Sequence, residues 1–213
     1  MGSFKIELKM ERCFLLKVDF GQCVDDFMSV HKIDNEDVDL PHLLNSAKHS
    51  FGRSSVYARA NLLHLLQFDF IANDLGIPVL SPKFIAISNI SNCEDFELVP
   101  MILVDDTFLS DLFDGKGELK EEVKKVEGYY TLNFIKQRDY CNIEKSVFRK
   151  LQSQPYSIGI IRKIVLRQPK GSFPKIFKIK ETMSSIFISE SMKNLLGDNG
   201  IKGCLFEEVE VSS

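Results

Sequence analysis

The chain has 213 residues, with 27 Lys and Arg against 30 Asp and Glu, a net charge of −3 and an isoelectric point near 5.9. Hydrophobic residues make up 44% and charged residues 27%, which excludes a disordered or coiled-coil chain and allows a sizeable core. The acidic balance argues against a protein built to hold phosphate backbones, and no run of about eighteen apolar residues offers a membrane span.

Phe4 to Lys9 alternates apolar and charged residues where a secretory signal needs a continuous apolar stretch, so the sequence predicts a strand in a cytoplasmic protein. Cys13 to Phe20 predicts a second strand, paired with the first as a hairpin. Asp34 to Pro41 reads as an acidic turn, and Leu43, Leu44 and Ala47 follow as a short helix. Residues 56–75 are densely apolar, and the reading adopted is a helix from Asp69 to Leu75 stopped by Gly76. Ile77 to Pro82 is extended, with Ser81 placed to cap a helix through Ile85.

A strand over Phe96 to Val104 and a polar helix over Lys120 to Val126 come next. Gly128 separates that helix from a strand over Tyr129 to Ile135, rich in aromatic and β-branched residues. Ile158 to Leu166 and Ile176 to Ile179 read as strands with the turn Pro169-Lys170-Gly171 between them. Ile186 to Ile188 is a strand, Ser189 an N-cap with Glu190 in the first turn, and Met192, Leu195 and Leu196 share one helical face that ends at Gly200. Cys204 opens a closing strand. The fold class expected is α+β: a mixed, largely antiparallel sheet with interspersed helices, in a single domain over residues 1–213.

Catalytic signatures are sparse. His31, His42, His49 and His64 fall in no zinc-binding spacing, and Cys23 has no local partner that would make it a nucleophile. The five cysteines, Cys13, Cys23, Cys93, Cys141 and Cys204, are odd in number and scattered, which reads as reduced thiols. Asp105 and Asp106, with Asp111, Asp114 and Glu118, are candidates for a divalent cation or for acid and base roles, against the plainer reading of a solvated turn. Phe108, Leu109, Leu112 and Phe113 interleave with these acids, as in a protein-binding loop or an acidic amphipathic helix packed on the core.

Charge is segregated along the chain. Nine basic and twenty acidic residues lie between Asp19 and Gly128, a balance of −11, whereas twelve basic and three acidic residues between Tyr129 and Ser185 give +9. Convergence of Lys136, Arg138, Lys145, Arg149, Lys150, Arg162, Lys163 and Arg167 would make a face over residues 136–167 for an anionic partner such as a nucleic acid. The alternative is that the basic segment folds against the acidic one.

The C-terminal half carries a recognisable order of motifs. Gly128-Tyr129-Tyr130-Thr131-Leu132-Asn133 is followed by Arg138-Asp139-Tyr140-Cys141-Asn142-Ile143-Glu144-Lys145-Ser146 and Ile176-Phe177-Lys178-Ile179. Ile186-Phe187-Ile188-Ser189-Glu190-Ser191-Met192-Lys193-Asn194-Leu195-Leu196 and Asn199-Gly200-Ile201-Lys202-Gly203-Cys204-Leu205-Phe206-Glu207 complete it. This series resembles the immunity protein eleven family of bacterial polymorphic-toxin systems. The likeness extends from about Phe68 to Glu207, through Phe68-Asp69-Phe70, Pro78-Val79-Leu80-Ser81 and Phe96-Glu97-Leu98-Val99-Pro100, and leaves residues 1–67 uncovered.

The resemblance implies a cytoplasmic binder that neutralises a cognate toxin domain by direct protein contact, without enzymatic activity, cofactor or metal. Toxins of such systems that act on nucleic acids present basic clefts, so the expected contact is the acidic loop of Asp105, Asp106, Asp111, Asp114 and Glu118, with Phe108 and Phe113 as anchors. Two rivals stand beside it: a nucleic-acid-binding accessory protein using residues 136–167, and an enzyme with a carboxylate site at Asp105 and Asp106.

Overall fold

A computed structural model describes residues 10–21, 31–32, 55–73, 77–107, 111–150, 158–182 and 185–213. Among these the strands run, in chain order, β1 Cys13–Val18, β2 His31–Lys32, β3 Val56–Ala60, β4 Phe70–Ile71, β5 Val79–Leu80, β6 Phe96–Asp105 and β7 Lys125–Phe134. They continue with β8 Val147–Lys150, β9 Ile158–Lys163, β10 Val165–Arg167, β11 Ile176–Phe177, β12 Ile186–Ser189 and β13 Cys204–Ser212. Three helices are described: α1 Leu62–Leu65, α2 Pro82–Ser88 and α3 Glu190–Asp198. One sheet has the order β10-β13-β1-β12-β11, a second β2-β3-β6-β7-β5-β4, and β8 pairs with β9. Most pairings are antiparallel; β10 with β13 and β3 with β6 are parallel. The described part is therefore largely sheet with minor helices, consistent with the α+β expectation.

Period-two alternation explains how the five-stranded sheet is buried on both faces. Phe14 lies opposite Ile188 and Leu16 opposite Ile186, all four on the inner face, while Leu15 lies opposite Phe187 on the outer one. The inner face packs in one cluster with Phe96, Leu132 and Phe134 of the six-stranded sheet and with Phe84, Met192 and Leu196 of α2 and α3. The outer face buries Cys13, Leu166, Phe177 and Phe187 against Cys141 and Phe173. Phe173 stacks on Phe177 and Phe177 on Phe187, with centroids 5.6 and 5.5 Å apart.

The helix ends follow the sequence closely. Ser81 Oγ accepts the Phe84 amide at 3.0 Å, with Pro82 in the first turn, and Ser189 Oγ accepts the Met192 amide at 3.3 Å. Helix α2 runs to Ser88, past the expected Ile85, and stops at Asn89 with φ 49°.

Other expectations fail for tertiary reasons. Both edges of β1 are taken, by β12 and β13, so it forms no hairpin with a preceding strand. Phe4 to Lys9, Asp34 to Pro41, Leu43, Leu44 and Ala47 lie outside the described residues. The helix expected from Asp69 is strand at Phe70–Ile71, because the Asp69 and Phe70 amides both donate to Lys202 O, at 3.1 and 3.0 Å. Lys120 to Val126 is a turn leading into β7, with Val123 buried. Gly128 does not interrupt the strand: it sits inside β7 at φ 87°, where Glu127 and Gly128 together face Ile102 as a bulge. The Pro169 to Gly171 turn does stand between β10 and β11, which lie at opposite edges of their sheet and do not pair.

The two sheets are spliced at Asp69. Its carboxylate accepts Ser81 Oγ at 2.7 Å through Oδ1 and the Lys202 amide at 3.0 Å through Oδ2, and Ser81 N donates to its carbonyl at 2.9 Å. This draws the turn before β13 against β4 so tightly that a Cβ on Gly203 would lie 2.2 Å from Phe70 O. Gly203→Ala is expected to lower the unfolding free energy by about 3 kcal/mol or more, since backbone must move and φ is 87°. Gly117→Ala, with φ 81° and nothing within 4 Å, should lose only about 1 kcal/mol. Urea unfolding of both variants measures the difference; equal losses would remove the close approach as the constraint.

Candidate functional site

The acidic loop is an excursion between β6 and β7. It leaves the sheet at Asp105, whose amide donates to Lys124 O at 3.0 Å, and the Asp106 amide donates to Ala60 O at 3.0 Å. Asp105 Oδ1 accepts the Thr107 amide at 3.0 Å and its hydroxyl at 2.8 Å, bonds that favour the carboxylate and hold Asp105 below the usual range. Phe108 lies outside the described residues. From Asp111 the chain forms a tight hairpin in which Phe113 bridges Leu119. Asp114 Oδ1 accepts the amides of Lys116 and Glu118 at 2.8 and 2.9 Å, and Gly117 takes φ 81°. The amphipathic-helix reading is thus replaced by a hairpin over Asp111 to Lys120.

Its inward side chains explain why it holds a shape. Leu112 and Val123 are buried with Val104, and Phe113 meets Tyr57 of β3 edge-on at 5.5 Å. Phe113 is therefore half-buried in a satellite core, where it supports the hairpin. Asp105 and Asp114 serve the turns. Asp111 and Glu118 are exposed and Asp106 half-exposed, and the hairpin adds Glu121 and Glu122, which sequence reading had assigned to a helix. Their exposure follows from Val123 turning inward one residue later, an alternation too short to separate from a helical turn by pattern.

The candidates for other chemistry are dispersed. His64 lies on α1, His31 in β2, and Cys23, His42 and His49 outside the described residues. Cys13, Cys93, Cys141 and Cys204 carry free thiols, and burial pushes the Cys13 thiol up to about 12. Among the described residues no three His, Cys, Asp or Glu side chains are grouped to hold a metal ion.

Several cations of the basic segment are paired. Lys136 meets Glu94 at 3.1 Å, Lys163 meets Glu210 at 2.6 Å, and Arg167 meets Asp139 at 3.0 Å. Arg138 clamps the buried Asp95 carboxylate through Nε at 2.8 Å and Nη2 at 2.6 Å to the same oxygen, which raises the guanidinium pKa further. Lys145, Arg149 and Arg162 are exposed, and the Lys150 side chain lies outside the described residues.

The C-terminal motif residues are occupied with architecture. Ser146 Oγ donates to Val165 O at 3.3 Å and accepts the Val165 amide at 3.0 Å, and Asn142 Nδ2 donates to Ser212 Oγ at 2.9 Å. The Arg138 amide donates to Lys178 O at 2.7 Å. Gly200, at φ 61°, closes α3, and the Ile201 amide donates to Leu196 O at 3.0 Å. Residues 118–211, the C-terminal part that contains these motifs, match the model of the Immunity protein family (Imm11). No curated protein matches the chain. The matched span begins inside the acidic hairpin and supplies β7 through most of β13, whereas β1, at the centre of the five-stranded sheet, lies outside it.

Lys178 escaped the sequence reading. It is fully buried, its Nζ 5.5 Å from the centre of the Phe134 ring, and desolvation lowers it from 10.5 to about 8. The apolar run Ile176-Phe177-Lys178-Ile179 was the available signal. Below pH 8 the folded chain holds a charged lysine in a buried site. Between pH 8 and 10.5 the unfolded chain binds the extra proton, so stability from this group rises with pH. Relative to Lys178→Met, which cancels the buried thiols, the wild type should gain about 3 kcal/mol across that window in unfolding measurements. A difference independent of pH would contradict the depressed value.

Proposed function

We propose that this chain is an immunity protein that binds a cognate bacterial toxin domain by direct contact and occludes its active site. The match of residues 118–211 to an immunity family carries the reading and suggests an immunity, antitoxin role. The motif residues in that span are engaged in turns, caps and strand pairing, which leaves recognition to exposed surface. An inhibitor of this kind needs a complementary surface and slow dissociation, with no bond made or broken.

The contact proposed is the acidic hairpin, presented by Asp106, Asp111 and Glu118, with Asp105 and Asp114 shaping its turns and Phe113 bracing it on Tyr57. A preformed hairpin loses less conformational freedom on docking than a mobile loop, and a cluster of carboxylates steers approach to a basic cleft. Because the acids are at the surface, salt should screen the interaction.

The test is co-expression with a toxin domain found encoded in the neighbouring reading frame, together with calorimetry of the purified pair. The wild type should restore growth. The reversal D106K/D111K/E118K, confirmed folded by circular dichroism, should weaken binding by about tenfold or more and reduce its salt dependence. No rescue by the wild type overturns the immunity reading. Rescue with unchanged affinity in the triple variant removes the hairpin as the contact.

A further inference from the structure

Where β9 gives way to β10 the chain changes partner. β9 pairs with β8, and β10 pairs with β13 over residues 210–212 alone. Between β9 and the outer face of the five-stranded sheet lies a groove of about 540 Å³, a volume typical of small-ligand sites. Leu15, Ile161, Ile164 and Val209 give it aliphatic walls, and among the described residues no aromatic ring lines it.

Three cations and three acids also line the groove, and all but one of them are matched. Lys17 pairs with Glu207, Lys163 with Glu210 and Glu208 with Arg12. Arg162 is left, exposed and without an ion-pair partner among the described residues. Its planar fork of donors suits a carboxylate. Thr182 lines the same groove, is only 7% exposed, and has no hydrogen-bond partner for its Oγ1. A buried hydroxyl left in that state costs free energy that a ligand's acceptor would return. Since no bond holds the hydroxyl in place, a turn about χ1 brings it to a ligand without breaking a hydrogen bond.

From this combination we infer a small-ligand site: the groove binds an aliphatic monocarboxylate, with its chain on Leu15, Ile161, Ile164 and Val209 and its carboxylate on Arg162 and the Thr182 hydroxyl. One unmatched cation fits one negative charge. A phosphate dianion would set a second charge near Glu207 and Glu210 with no cation to spare. Aliphatic walls favour an alkyl chain over a ring that gains from stacking. The acidic hairpin contributes no wall, so the site stands independently of the proposed toxin contact.

The experiment titrates the full chain with octanoate at millimolar concentration and follows the backbone amides of Ile164 and Val209 by nuclear magnetic resonance. Both should shift saturably. Octanamide, which keeps the chain and loses the charge, should bind about threefold or more weaker, and Arg162→Gln should remove that preference. Thr182→Val keeps the side-chain shape and should also weaken octanoate by about threefold or more, while raising the urea midpoint because the orphaned hydroxyl is gone. That rise separates a lost ligand contact from a damaged fold. A blocked peptide, Ala-Leu-Glu-Leu-Ala, offers the same chemistry from a protein and should bind more weakly than octanoate. No saturable shift at Ile164 and Val209, a preference for octanoate retained in Arg162→Gln, full affinity in Thr182→Val, or tighter binding by the peptide each overturns the inference.

Discussion

The Asp69 carboxylate is the constraint on which the arrangement of the two sheets depends. It is 8% exposed, so its oxygens must be satisfied from within the protein. The groups that satisfy them come from separate places: the hydroxyl that caps α2 and the amide that leads into β13. Lys83, 3.6 Å away, adds a cation and donates to Gly200 O at 2.9 Å. Meeting one carboxylate's needs therefore fixes a helix start, a strand end and a turn in one place. Gly203 is the steric consequence, because the turn has to lie against the Phe70 carbonyl.

Such commitments explain why the most patterned residues of the C-terminal half leave little for chemistry. Ser189, Ser146, Asn142, Arg138, Gly200 and Gly203 each satisfy a backbone group, a buried acid or a steric limit. The family match falls on this framework, yet the framework is not closed by the matched residues. β1 is inserted between β12 and β13 and supplies Phe14 and Leu16 to the shared cluster. The hairpin between β6 and β7 lies at the margin of this framework.

The charge segregation resolves in the same way. Part of the basic segment folds back on acids, and the pair that matters most is Arg138 with Asp95, where the carboxylate is buried. Breaking such a pair from one side strands a charge, whereas the exposed pairs at Lys136, Lys163 and Arg167 contribute little each. Several positive charges are thus held by partners, while Asp111, Glu118, Glu121 and Glu122 stay exposed on a braced hairpin. The small net charge conceals this difference.

The sequence by itself determined the local elements with local causes. Ser81 before Pro82 and Ser189 before Glu190 set helix starts through bonds spanning three residues, apolar runs marked β6 and β12, and alternation marked the end of β13. It also placed the acidic loop correctly after β6 and carried the resemblance now matched over residues 118–211. Only the tertiary structure decided that Phe70–Ile71 is strand, that β1 pairs with two strands from the far end of the chain, and that Phe113 packs on Tyr57. The β1 pairings, the Phe113 contact with Tyr57 and the Asp69 bond to Lys202 beside β4 each join residues more than fifty positions apart, and no local pattern encodes which distant amide a carboxylate will meet.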